Sequence, residues 1–186
     1  AERRLVVGAS SGGRDPMVDG QVLVLPLDGS EPTRLRGFEG EGAWAVAYDA
    51  EQQLVAAAGG RDEIVIRVWS LRDGSVQVLA GEDFGDGEAG SYSALAFLPD
   101  GILLSCGALG VRSWVIAEGS GETLVGDRCR DVVVAATGRV AAAALVAKPP
   151  ILIDLDSGEV RPLEGFRESR RFELAPDGDV VAAAKQ

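Results

Sequence analysis

The sequence predicts an all-β fold, a propeller of four-stranded antiparallel blades, and three observations carry that expectation. Short runs rich in Val, Ile and Ala recur along the 186 residues, each of strand length and each bounded by Gly, Asp, Glu or Gln. Turn marks recur with them: Pro99-Asp100-Gly101 and Pro176-Asp177-Gly178 in one kind of hairpin, and Asp28-Gly29, Asp73-Gly74 and Ser157-Gly158 in another. The position of Trp69 recurs as Leu25, Trp114 and Ile153, in steps of 44, 45 and 39 residues. Those steps suit the period of about 40 to 50 residues expected of four-stranded blades. Helical periodicity of useful length is absent.

The clearest copy of the pattern is 35–74. Within it 43–48, 54–58 and 64–71 read as strands, the last alternating Ile64, Ile66 and Val68 with Val65, Arg67 and Trp69 before the turn at Asp73-Gly74. A fourth strand, 75–80, completes a blade over 39–80. Before it, 4–10, 21–27 and 33–37 match the second, third and fourth strands, so 1–38 is a partial blade without its first strand. A long acidic loop, 81–90, leads into strands at 91–98, 102–106, 111–116 and 122–125, a full blade over 91–126. The next blade, 129–164, holds strands at 129–135, 139–146, 151–155 and 160–163. Strands at 171–174 and 180–184 begin a last partial blade, 169–186.

Burial explains why such strands would assemble. Val46, Leu54, Ala56, Ile66 and Val68 leave the strands apolar on both faces, as stacked sheets require. One blade alone buries neither face, so stacking is the dominant favourable term at about 25 cal/mol per Å² of apolar surface. A seven-bladed ring needs roughly 300 residues. The chain therefore reads as a fragment of a larger ring, with end blades whose exposed edges and apolar faces favour self-association.

Composition narrows function. The formal net charge is −11, and the only local basic cluster is Arg167, Arg170 and Arg171, which argues against a nucleic-acid partner. No apolar run approaches the ~18 residues of a membrane span, so no membrane partner is expected. The opening AERRLVV carries no basic-then-apolar leader, and the cytoplasm is the expected location. Cys106 and Cys129 fall in strands and are expected to be reduced packing residues. The sequence has no histidine, which removes the commonest general base and metal ligand together. Neither cysteine then has a base to activate it, so no catalytic residue is assigned.

Two further stretches carry weaker signals. The run from Gly8 to Arg14 is glycine-rich like a phosphate loop, but Arg14 stands where Lys belongs and Asp15 where Ser or Thr should hold Mg²⁺. Glu82, Asp83, Asp86 and Glu88 lack the alternating spacing of a calcium loop and read as a solvated acidic loop. No cofactor and no metal are expected.

Leu35-x-Gly37-Phe38, Ala45-Val46-Ala47-Tyr48, Leu54-Val55-Ala56-Ala57-Ala58-Gly59 and Ile66-Arg67-Val68-Trp69-Ser70-Leu71 resemble the WD repeat in order and spacing. The family's Gly-His pair is Gly37-Phe38 and Gly165-Phe166 here, and its Trp-Asp pair is Trp69-Ser70. The His, Ser/Thr, Trp and Asp hydrogen-bond network of a strong repeat is thus expected to be absent, with packing in its place. Asp19 and Asp62 lie near the family's turn aspartate, Asp62 one residue out of step.

The resemblance implies a docking rim formed by the start of each innermost strand and the loop between second and third strands. By position its residues are Trp44, Ser93, Arg130 and Arg170 at the strand starts, with Arg61 and Asp62 in a loop. Trp and Arg are the residue types most enriched in binding hot spots. The competing reading packs Trp44 against a neighbouring blade and leaves the arginines solvated. The function implied is a non-catalytic protein-interaction or sensor module within a larger signalling or scaffold protein, not an enzyme, with a protein partner. The alternative is a set of blades from an enzyme-class propeller, lactonase-like or quinoprotein-like, whose catalytic residues lie elsewhere.

Overall fold

In the computed structural model, which describes residues 4–8, 21–38, 42–59, 65–80, 92–163, 171–175 and 181–184, strands make up most of the described residues, and within each sheet neighbouring strands run antiparallel. The strands form sheets in chain order. Sheet A is β1 (Arg4–Gly8), β2 (Val22–Pro26) and β3 (Thr33–Leu35). Sheet B is β4 (Ala43–Asp49), β5 (Leu54–Gly59), β6 (Val65–Ser70) and β7 (Val76–Ala80). Sheet C is β8 (Tyr92–Phe97), β9 (Ile102–Gly107), β10 (Gly110–Val115) and β11 (Ser120–Val125). Sheet D is β12 (Cys129–Val134), β13 (Val140–Leu145), β14 (Ile151–Asp154) and β15 (Val160–Pro162). Sheet E is β16 (Arg171–Leu174) paired with β17 (Val181–Ala184). Apart from a 3-10 turn at Ile116–Glu118, the described residues hold no helix.

Sheets B, C and D share one register. Trp69 lies opposite Val76, Trp114 opposite Gly121 and Ile153 opposite Val160, in each case seven residues on, so the three residues occupy one position of the repeat. Sheet A departs from the sequence expectation here. Leu25 pairs with Leu5 but lies beyond the pairing of β2 with β3, and it is Val24 that is buried.

The chain divides into two compact units, 1–88 and 89–186. In the first, β1 packs on β4, and Val22, Val24, Phe38, Val55, Ala57 and Trp69 form the core. In the second, β12 packs on β8 and β9, joining Leu104, Cys106, Val111, Val132, Ala143 and Ile153 in another. Alanine sets the spacing. Ala56, Ala57 and Ala58 of β5 and Ala141 to Ala144 of β13 are all fully buried, on both faces of their strands, where a longer side chain would hold a neighbouring sheet away.

Two expectations need correction. Cys106 and Cys129 are not reduced packing residues: their sulfurs are bonded across a Cα separation of 5.3 Å, fastening β9 of sheet C to the start of β12 of sheet D. Packing of the two sheets brings the pair within bridging distance. Part of the hydrogen-bond network expected to be absent is also present. In sheet C the Trp114 Nε1–H donates to Ser105 Oγ at 2.8 Å, with both residues buried. In sheet B the position two residues along from Trp69's partner Val55 is Ala57, which has no hydroxyl to offer. There Phe38 meets Trp69 edge-on, with centroids 6.1 Å apart, so packing does replace the polar contact.

Candidate functional site

The first strand of every full sheet opens with an irregularity of one residue. Ala43 pairs with Gly59 and Ala45 with Ala58, which leaves Trp44 without an opposite residue. Tyr92 pairs with Gly107 and Ala94 with Cys106, leaving Ser93; Cys129 pairs with Leu145 and Asp131 with Ala144, leaving Arg130. An extra residue in one strand bends it and increases local twist, a device that aims a side chain where a regular ladder would not. The outcome is the same each time. Ala43, Tyr92 and Cys129 are buried, and the next residue is exposed, Trp44 to 46%.

The side chains turned outward are an indole, a hydroxyl and a guanidinium, so what recurs is the backbone geometry and not the chemistry. Trp44 is the largest of them and the only aromatic among the exposed large hydrophobics of the described residues. Leaving an indole in water forfeits burial of roughly 2 kcal/mol. Of the remaining rim candidates, Arg61, Asp62 and Arg170 lie outside the described residues, as do Glu82, Asp83, Asp86, Glu88 and the glycine-rich run after Gly8.

Within the second unit the same end of sheet D carries cations that the sequence reading did not single out. The Val146 N–H donates to the Arg128 carbonyl at 2.8 Å, extending the β12–β13 ladder and setting exposed Arg128 two residues before Arg130. Lys148 follows on the adjoining turn, its Nζ 2.6 Å from Asp127 Oδ1. This end of the sheet carries three cations, Arg128, Arg130 and Lys148, the last paired with Asp127, beside Asp131. Such a surface suits an acidic segment of a partner. Nothing in the sequence links Lys148 to Arg130 until the hairpin returns the chain to the same end of the sheet.

The opposite ends of the sheets are built as closed turns. Asp28 accepts from Ser30 N and Oγ, Asp73 from Ser75 N and Oγ, and Asp154 from Ser157 N and Oγ, all at 2.7 to 3.0 Å. These bonds favour the ionised carboxylates. The Ser75 N–H and hydroxyl draw Asp73 down to about 2, Ser30 lowers Asp28, and Ser157 lowers Asp154. In each case the bonds are to Oδ1, which closes the carboxylate's own turn.

Among the described residues no group of three His, Cys, Asp or Glu side chains could hold a metal ion. No helix among them is long and apolar enough to cross a membrane. No family model and no curated protein matches the chain. Function must therefore be argued from geometry.

Proposed function

We propose that this chain is a β-propeller segment of divergent WD-repeat type, and that it acts as a non-catalytic module docking a protein partner. The observation that carries the proposal is the bulge repeated in sheets B, C and D, which puts one unpaired, exposed side chain at the start of each first strand. On this reading the sheets are blades, and the starts of their first strands offer Trp44 in the first unit and Ser93 and Arg130 in the second. The meander order of every sheet and the shared register of Trp69, Trp114 and Ile153 support the reading of blades. Exposed Leu5 and Val7 on edge strand β1 support self-association at that end. The buried Cys106–Cys129 bridge supports an oxidising compartment in place of the cytoplasm.

The test is selection of peptides by display on the immobilised chain, followed by affinity measurements on Trp44→Ala, Arg130→Glu and a control, Val160→Ser, on the exposed face of β15. Rim docking predicts at least tenfold weaker binding for the first two variants and none for the control. Selected peptides that bind all three variants alike would contradict it. Circular dichroism of each variant separates lost binding from lost fold.

A further inference from the structure

The first unit holds a second surface feature, at the end of sheet B away from Trp44. A cleft of about 370 Å³ opens between the β2–β3 hairpin of sheet A and the end of β6. The register of sheet B fixes the separation. Ala43, Gly59 and Val65 stand together at one end of the sheet, and Asp49, Leu54 and Ser70 at the other.

The cleft has two kinds of lining. Buried Trp69 forms its floor with half-buried Leu35 and Leu71, while Asp28 and Glu31 stand exposed on the hairpin at its mouth. Arg4 lines one side, its Nη1 donating to Gln53 Oε1 at 2.7 Å. Gln53 has φ +60 in a hairpin whose counterparts in sheets C and D use Gly101 and Gly138 for positive φ. Its side chain offsets that strain, with Nε2 donating to Tyr48 Oη at 3.1 Å and to the Ala50 carbonyl at 2.7 Å while Oε1 holds Arg4. The guanidinium is thereby tethered to sheet B. Two carboxylates then face one tethered guanidinium, so the mouth is net negative over an aromatic and aliphatic floor.

We propose that this cleft binds an organic cation with an apolar body, its ammonium or guanidinium meeting Asp28 and Glu31 and its apolar part lying over Trp69, Leu35 and Leu71. Charge complementarity selects the cation. A simple anion would face two carboxylates, and a wholly apolar ligand would gain nothing from either. The volume falls within the range of about 300 to 1,000 Å³ of small-molecule sites, and a carboxylate pair at the mouth of an apolar cleft favours a cation over a neutral isostere. The Ser30 hydrogen bonds and the nearby Arg4 charge keep Asp28 ionised, so the mouth stays negative through the neutral range. The same chemistry is presented by a free amine or by a Lys or Arg side chain on a partner, and the site is separate from the docking surface around Trp44.

The experiment uses the whole chain labelled with 5-fluorotryptophan, whose three ¹⁹F resonances correspond to Trp44, Trp69 and Trp114. Trp44→Phe and Trp114→Phe, each losing one resonance, leave the third to Trp69. Titration with 2-phenylethylammonium is expected to shift the Trp69 resonance saturably. The neutral isostere 2-phenylethanol should bind at least about fivefold more weakly, and Glu31→Gln, an exposed change that leaves the Asp28 turn intact, should weaken the ammonium about threefold, in the range of exposed charge pairs. A short peptide carrying Lys beside Phe separates the two sources. Saturation at lower concentration than the free amine assigns the site to a partner's side chain, and the reverse assigns it to a small molecule. The proposal is overturned if the alcohol shifts Trp69 as strongly as the ammonium, if Glu31→Gln binds unchanged, or if neither cationic probe moves the resonance.

Discussion

Sheets B and C solve one problem in two ways. Each places a tryptophan at the same repeat position, Trp69 and Trp114, with an arginine two residues before it, Arg67 and Arg112. In sheet B the indole is held by the edge of Phe38, and Arg67 lies 5.3 Å from the centre of that phenyl ring while its Nε donates to the Gly37 carbonyl at 2.9 Å. Gly37 must be glycine for this, because a Cβ there would meet the Arg67 Cδ at 2.7 Å. In sheet C, Arg112 lies 4.8 Å from the indole centre itself, and Trp114 Nε1 finds Ser105. Gly121 makes room opposite, where a Cβ would come within 2.6 Å of the ring. These two sheets thus keep the tryptophan and the cation, while the third partner is apolar in one and polar in the other; sheet D has Ile151 and Ile153 at the matching places.

That contrast can be broken at each sheet. Phe38→Ala removes the edge contact, the ring beneath Arg67 and a buried side chain at once. A loss of about 3 to 5 kcal/mol is expected, read as a lowered urea midpoint. A cost below about 1 kcal/mol would mean that Phe38 is not the support of Trp69. Removing the bridge by Cys106→Ala with Cys129→Ala tests the added fastening of sheets C and D. Closing a loop between residues 23 apart is worth about 3 kcal/mol, and thermal denaturation of the double variant should show a loss of that order, with reductant then having no further effect.

Ser105→Ala reaches the polar support alone. It leaves the Trp114 N–H buried without its acceptor, at a cost of about 1 to 3 kcal/mol, whereas Ala57→Gly at the matching place in sheet B touches no hydrogen bond of Trp69. Equal effects on the environment of the two indoles, followed by near-ultraviolet circular dichroism, would erase the distinction between the sheets. The smallest effect belongs to the turn after Trp69. The folded state lowers Asp73 from 3.8 to about 2, so its contribution is fully present above the higher value and is lost as pH falls towards the lower one. The difference in urea midpoint between pH 5 and pH 2.5 should be smaller in Asp73→Asn than in the parent chain.

The sequence made the strands legible because alternation and Asp-Gly turns are local signals. The seven-residue offset that aligns Trp69, Trp114 and Ile153 is local too, since one short hairpin sets it. What it left hidden depends on register or on stacking. Ser105 reaches Trp114 only because the ladder sets Leu103 opposite the indole and brings the next residue on that face within reach. The cysteine pair needs two sheets to close on each other. Val24 replaces Leu25 in the core because it shares with Val22 the face of β2 that packs with Val55 and Trp69, and Leu25 points to the other face. Trp44, Ser93 and Arg130 could be selected from repeat position, but the bulge that turns them out is an offset of one residue in pairing and leaves no mark in composition. The cleft beside Trp69 is assembled from turn tips and strand ends that no periodicity connects.

On the proposed function, the bulge at the start of each first strand offers its side chain to a partner. The most direct measurement is photo-crosslinking in the protein's native cells, with a benzophenone amino acid placed in turn at 44, 93 and 130 and at the equally solvent-facing positions 76 and 160. Adducts to a protein partner are expected from 44, 93 and 130 and little from the other two. Equal yields at all five positions, or adducts confined to 76 and 160, would contradict it.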